Sequence, residues 1–283
     1  MNNRDLRAFL ILLKREMWES KNLFIAAPVV LTILLVVAIF WVIPQLPEGA
    51  LAEAISQLGA ATEGVGALNL APFLMTVATP YMVILYICTL IYLVNALYQD
   101  RKDSSILFWQ SMPVSNLYTV LSKVVTVCFV APLFVVAAIS VLFLFVISTA
   151  TVLGLSYDVE LASLGQLFLA SVYSLLLVYM TAVLAALWLF PTAGWFLLFS
   201  AFAKNLPFLW AIGAFVLLLL LEDIIFGTQF LGNWLESRTS NYNYIIFEAS
   251  DFFQRLFSYD MLFGIMLGAI LITGAVYMRR FAE

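Results

Sequence analysis

The sequence predicts an all-α, polytopic membrane protein with six crossings, on three observations. The first is composition: 64% of the 283 residues are hydrophobic and only 11% are charged, with a mean hydropathy of +1.05. A soluble domain is about half apolar and about a quarter charged. The second is the presence of six apolar runs, at 22–43, 71–98, 121–150, 162–190, 206–226 and 260–278, each able to cross ~30 Å of hydrocarbon as a helix. The third is the segregation of Lys and Arg. With both termini on one side, that side holds Arg4, Arg7, Lys14, Arg15, Lys21, Arg101, Lys102, Lys123, Lys204, Arg279 and Arg280, and the other holds only Arg238 and Arg255. Basic loops stay in the cytosol, so both termini are expected to be cytoplasmic. The whole chain, 1–283, then forms one transmembrane domain.

Residues 4–21 read as an amphipathic helix ahead of the first span. Leu6, Phe9, Leu10, Leu13 and Met17 recur at helical spacing, and Arg4, Arg7, Lys14 and Arg15 lie largely off that stripe. The pattern suits a helix lying in the membrane interface, basic toward anionic lipid. Gln45 to Leu70 is a loop rich in Gly and Ala, with one or two helical turns expected over Leu51 to Leu58. Pro72 and Pro80 stand near the outer end of the second span, where a kink is equally consistent with a pathway and with packing.

Between the second and third spans the chain reads YQDRKDSSILFWQSMPVSNLYTVLSK, Tyr98 to Lys123. Asp100, Arg101, Lys102 and Asp103 force it out of the hydrocarbon, yet Ile106-Leu107-Phe108-Trp109 follows at once. Ser104 as N-cap and Pro113 as stop delimit a short helix, and Ser115 is placed to cap the next one. An apolar helix outside the bilayer needs a cover, either headgroups or another protein. An interfacial turn without function fits the same residues.

This stretch, DRKDSSILFWQSMPVSNLYTVLSK, resembles the segment after the second span in permease subunits of the ABC-2 type exporter family. PTAGWFLLFSAFAKNLPFLWAIGAF, Pro191 to Phe215, resembles the family between its fourth and fifth spans, and the N-terminal LLKREMWESK extends the likeness. The resemblance implies that 100–116 is a coupling segment docking on a separate nucleotide-binding ATPase subunit. Trp109, flanked by Ile106 and Met112 and ended by Pro113, would be the anchor there, with Asp100, Arg101 and Asp103 as exposed rim contacts. It further implies a homodimer of this chain with two ATPase subunits in a bacterial inner membrane. No cofactor is expected in this chain, with ATP and Mg bound by the partner. No nucleic-acid partner is expected, only the lipid membrane and the protein subunits.

Residues 162–204 form one apolar block broken at Pro191 and Gly194. Its first part crosses, and Pro191 to Ala203 is expected as a helix in the inner leaflet, with Trp195 at headgroup level. The fifth span ends in Glu222-Asp223, a functional hypothesis by default inside a membrane and an ordinary pair in headgroups. In the outer stretch 227–258, Ile245, Ala249, Phe252, Phe253 and Leu256 share one helical face. This resembles the family's re-entrant element before its last span, which makes Glu222, Asp223, Phe252 and Phe253 candidates for an outer gate; an ordinary interfacial helix has the same pattern. Gly264 and Gly268 have GxxxG spacing and mark close helix packing.

Catalytic motifs are missing from the sequence. It contains no histidine, so no Ser/His or Cys/His pair exists, and no GxxxxGK[ST] loop is present to hold a nucleotide. Cys88 and Cys128 fall inside apolar runs and read as small core residues. No metal-ligand spacing occurs, and the first apolar run is too long for a cleavable signal. The function expected is a permease with no enzymatic activity of its own, with an ion-coupled secondary transporter or a non-transporting scaffold as the alternatives.

Overall fold

The structure, a computed structural model, describes residues 3–62, 70–102, 115–159, 161–240, 245–246 and 248–279. Among the described residues every regular element is helical, and six helices are long and apolar enough to cross a membrane. In chain order the elements are α1 (Asn3–Glu19), α2 (Asn22–Gln45), α3 (Glu48–Thr62), α4 (Ala71–Lys102), α5 (Asn116–Ser156) and α6 (Leu164–Trp188). Then come α7 (Phe190–Phe202), α8 (Pro207–Phe226), α9 (Phe230–Ser240), α10 (Asp251–Leu256) and α11 (Tyr259–Met278).

Helix starts and irregularities follow local chemistry. Ser115 takes the cap position foreseen for it, its hydroxyl accepting from Tyr118 N at 3.3 Å. Ser163 caps α6 reciprocally with Gln166, a full capping box. Two spans widen into a π-turn shortly before a proline: Asn22–Ala26 before Pro28, and Thr126–Val130 before Pro132. A proline lacks the N–H that would close the regular turn, and a π-turn accommodates that gap. Residues 48–62 form a full helix, longer than the one or two turns expected there.

The core lies between α4, α5 and α6. At mid-depth Thr32 of α2 meets the Tyr81 hydroxyl of α4 at 2.8 Å, which ties three spans together with Ala138 of α5 at 3.5 Å. Cys88 and Cys128 are buried free thiols in that core. Enclosure differs sharply among the spans: 56% of the most apolar window of α6 is buried, against 6% for α8, most of whose apolar side chains are exposed.

The helix expected at 191–203 is present as α7. It continues from α6 in the same direction, and Arg101 at the end of α4 donates to the carbonyls of Ser200 and Ala203. It runs beside α11 in near contact of backbones. A Cβ at Gly194 would stand 2.8 Å from Gly268 O, and one at Gly268 would stand 2.7 Å from Phe190 O. The GxxxG pair is thus consumed by packing within the chain. Trp195 is half-buried between α7 and α8, its indole donating to Ala211 O at 3.0 Å.

Candidate functional site

Four elements converge at the end of the bundle where α4 finishes and α5 begins. α1 brings Arg15 and Glu16, α4 brings Tyr92 and Asp100, α5 brings Lys123, and Arg279 follows directly on α11. Their charged groups are buried: relative exposure is 1% for Glu16, 5% for Asp100, 2% for Lys123 and 3% for Arg279. Asp100 is the hub. Its carboxylate lies 3.2 Å from Arg15 Nη2, 3.3 Å from Arg279 Nη1 and 3.8 Å from Lys123 Nζ. Lys123 also donates to both Glu16 oxygens at 3.1 Å, and the Tyr92 hydroxyl donates to Glu16 Oε2 at 2.6 Å. Arg15 Nε completes the chain of pairs with Glu19 at 2.6 Å.

Charges this enclosed persist only when paired, and the alternation of signs provides that, although Arg279 Nε and Nη1 make no hydrogen bond to a described residue. Burial pulls the Arg279 guanidinium down from its ordinary value, while the Asp100 charge pushes back. At Arg15 burial also acts downward, but the hydrogen bond to Glu19 and the charges of Glu19, Glu16 and Asp100 outweigh it, leaving the group raised.

The network frames segment 103–114. Asp100 and Arg101 hold the stem that enters it, and Lys123 holds the helix that leaves it. Leu97 N and Tyr98 N both donate to the Ser200 hydroxyl at 3.0 Å, fixing the same stem to α7. Asp103, Ile106, Trp109, Met112 and Pro113 lie outside the described residues. Two expectations change here. Asp100 and Arg101 are not exposed rim contacts, because their partners lie inside the bundle. Arg15 likewise turns inward to Asp100 instead of toward lipid, while Arg7 and Lys14 stay exposed. Arg4 lies in α1, and its side chain is outside the described set. The buried face of α1 runs through Leu12, Glu16 and Ser20, rotated from the apolar stripe, so that Leu6 and Leu10 face outward.

Part-way along the bundle, where α6 gives way to α7, a cation is treated differently. Arg238 of α9 stacks over the Trp188 ring at 4.0 Å and over Trp234 at 5.2 Å. It donates to the Trp188 carbonyl and to Asp260 O at 3.0 Å, and Trp188 returns an indole N–H to Arg238 O at 2.9 Å. Burial lowers its guanidinium from the ordinary value, with the Asp260 charge opposing. Gly264 is the hole that admits it, since a Cβ there would stand 2.6 Å from Arg238 Nη2.

The outer candidates separate. Glu222 is a cap: its carboxylate accepts from Phe230 N at 2.6 Å, Leu231 N at 3.0 Å and the Thr228 hydroxyl at 3.0 Å, starting α9. Asp223 is exposed and contributes its carbonyl to Gly227. Phe252 packs against the small buried cluster that contains Trp188, Ile246 and Met261, whereas Phe253 is 63% exposed. Residues 245–246 and 248–250 are not in the helix expected there; Ile246, rather than Ile245, is fully buried, and the helix begins at Asp251.

Sequence reasoning missed Glu16, Lys123 and Arg279 as partners. The available signal was a lysine inside the apolar run VLSKVVTV and a glutamate on α1 at i+4 from Leu12 and i−4 from Ser20.

These features define a helical, multi-pass membrane protein with a buried ion network at one end of its bundle. No family model, curated protein or solved structure matches the chain.

Proposed function

We propose that the chain is the membrane-spanning permease subunit of an ATP-driven ABC-2 type exporter, working as a dimer and coupled to separate ATPase subunits on the cytoplasmic side. The observation that carries this reading is the network around Asp100. A docking segment transmits force only if its stems are fixed to the spans, and here both stems of 103–114 are tied to α1, α7 and the end of α11 by buried ionic and hydrogen bonds. A partner pressing on that segment would move these elements together. Its leverage is the difference in its contacts between its own two states.

The depth of Arg238 supports a re-entrant α9 in the same scheme. From Gly264, where Arg238 docks, to Arg279 is about 22 Å of helix rise, less than the ~30 Å of a hydrocarbon core. Arg238 is also the observation that favours the second reading, an ion-coupled carrier, because a cation inside a bundle is a natural contact for an anionic substrate.

The test is Trp109→Ala, with Trp210→Ala as control, since Trp210 is exposed on α8. Copurification of the nucleotide-binding subunit and ATP-dependent transport should fall for Trp109→Ala, by about 2 kcal/mol of docking energy if it is an anchor, and hold for the control. The isolated chain should hydrolyse no ATP. Equal small effects of both substitutions, or transport indifferent to ATP and responsive to an ion gradient, would sink the exporter reading.

A further inference from the structure

A cleft of about 750 Å³ opens beside the ion network, between the last turn of α1, the π-turn that begins α2 and the last turns of α4. That volume is within the range of small-molecule sites, about 300–1,000 Å³. Its inner wall is the network itself, Arg15, Glu16, Asp100 and Lys123, whose charges already satisfy one another. Its rim is exposed and consists of Glu19, Asn22, Asn95 and Gln99.

We propose that this cleft binds the headgroup of an ethanolamine phospholipid from the adjoining leaflet. The spare hydrogen-bonding capacity of the rim matches that head. Glu19 uses one carboxylate oxygen toward Arg15, and its other oxygen has no partner among the described residues. The Asn22 and Gln99 amides likewise bond no other described residue. A primary ammonium donates to the carboxylate, and a phosphodiester accepts from the amides.

Access is from lipid. Ile91 lines the cleft, and Ile91, Ile87 and Val83 form an exposed stripe at helical spacing along α4, leading from the cleft into the span. An acyl chain lies naturally on it. The π-turn at Asn22–Ala26 forms part of the wall, and such turns concentrate at functional sites.

Other heads fit less well. Choline carries no N–H and is recognised by aromatic cages. The lining offers one aromatic ring, Tyr92, whose hydroxyl is committed to Glu16. A purely anionic head meets three carboxylates against two cations, both already paired.

The test is native mass spectrometry of the whole purified chain with phosphatidylethanolamine, its mono- and dimethyl derivatives, phosphatidylcholine and phosphatidylglycerol, all with the same acyl chains. Occupancy should fall stepwise with methylation, by about tenfold from ethanolamine to choline if one charge-assisted bond is lost. Phosphatidylglycerol should bind no better than choline lipid. Glu19→Gln should flatten the series, and Gln99→Leu, which touches no ion pair, should weaken all the heads. Soluble glycerophosphoethanolamine should bind at least tenfold more weakly than the lipid, because it lacks the chain on the Ile91 stripe. Equal occupancy of all heads, or an unchanged preference in Glu19→Gln, would overturn the headgroup site. Equal binding of soluble head and lipid would overturn its assignment to a membrane lipid.

Discussion

Two regions of this bundle hold arginines by opposite means. At the end where α4 finishes, Arg15 and Arg279 sit against Asp100, and Lys123 bridges Asp100 and Glu16, so each of these three cations faces a carboxylate, while Arg101 beside them donates to main-chain carbonyls. Beside the α6–α7 junction, Arg238 has no carboxylate in salt-bridge range among the described residues. It lies between indole faces and donates to main-chain carbonyls. The first arrangement is reciprocal: removing one member strands the others. The second is one-sided: the indoles and carbonyls remain tolerable without the cation. Mutual charge therefore gives positional specificity across four elements, while indole stacking gives a local dock for one short helix.

The largest effect expected from that contrast is at Asp100. Asp100→Asn keeps the shape but removes the charge that three cations share, and breaking a buried pair costs about 3–5 kcal/mol. Thermal unfolding in detergent should show it as a large drop in midpoint, accompanied by loosened protection of α1 in hydrogen exchange. Pairing it with Arg279→Met should recover part of the loss, since Asp100 is the carboxylate Arg279 pairs with and Lys123 stays on Glu16. A destabilisation no larger than that of an exposed pair such as Arg15–Glu19 would mean that water reaches the network freely and that the reciprocal description is wrong.

A smaller effect is expected at Arg238. Arg238→Leu forfeits stacking on two rings, about 2 kcal/mol for a desolvated cation–π contact, but strands no charge. Arg238→Lys should not rescue it, because a lysine cannot present a planar face to Trp188 or reach both carbonyls as a fork. The same unfolding assay, followed by Trp fluorescence, compares the two arginine regions directly. If Arg238→Leu proved as damaging as Asp100→Asn, the one-sided account would fail.

These regions were unequally legible in the sequence. The six apolar helices could be read because burial in lipid needs only length and composition, and both are local. The Asp100 network could not, because it depends on how α1 is rotated. The apolar stripe of α1 spoke only for an interfacial helix and gave Glu16 no task, whereas the structure turns Glu16 inward, where Lys123 and Tyr92 receive it. A polar partner four elements away overrides the local pattern. Phe230–Ser240 went unread as a helix because it is short and mixed, and its start is set by the Glu222 carboxylate reaching across the turn. Of the outer candidates only Glu222 acquired a definite task, and that task is capping.

The smallest predicted effect is the sharpest probe of the comparison, because it separates a gap kept for a side chain from one kept for backbone. Gly264 and Gly268 belong to one GxxxG motif, yet an added methyl would meet different things. At Gly268 it strikes the Phe190 backbone, which cannot move without shifting α7. At Gly264 it strikes the end of Arg238, 2.6 Å from Nη2 and 2.9 Å from Nη1, a flexible group that can withdraw. Gly264→Ala should therefore cost no more than the stacking it displaces, about 1 kcal/mol, partly offset by the better helix propensity of alanine. In the Arg238→Leu background that cost should nearly vanish, giving a coupling of about 1 kcal/mol in a double-mutant cycle. Gly268→Ala should cost the same in both backgrounds. Additive behaviour of Gly264→Ala with Arg238→Leu would mean that the glycine serves helix packing alone, and that the dock for α9 is built from Trp188 and Trp234 without it.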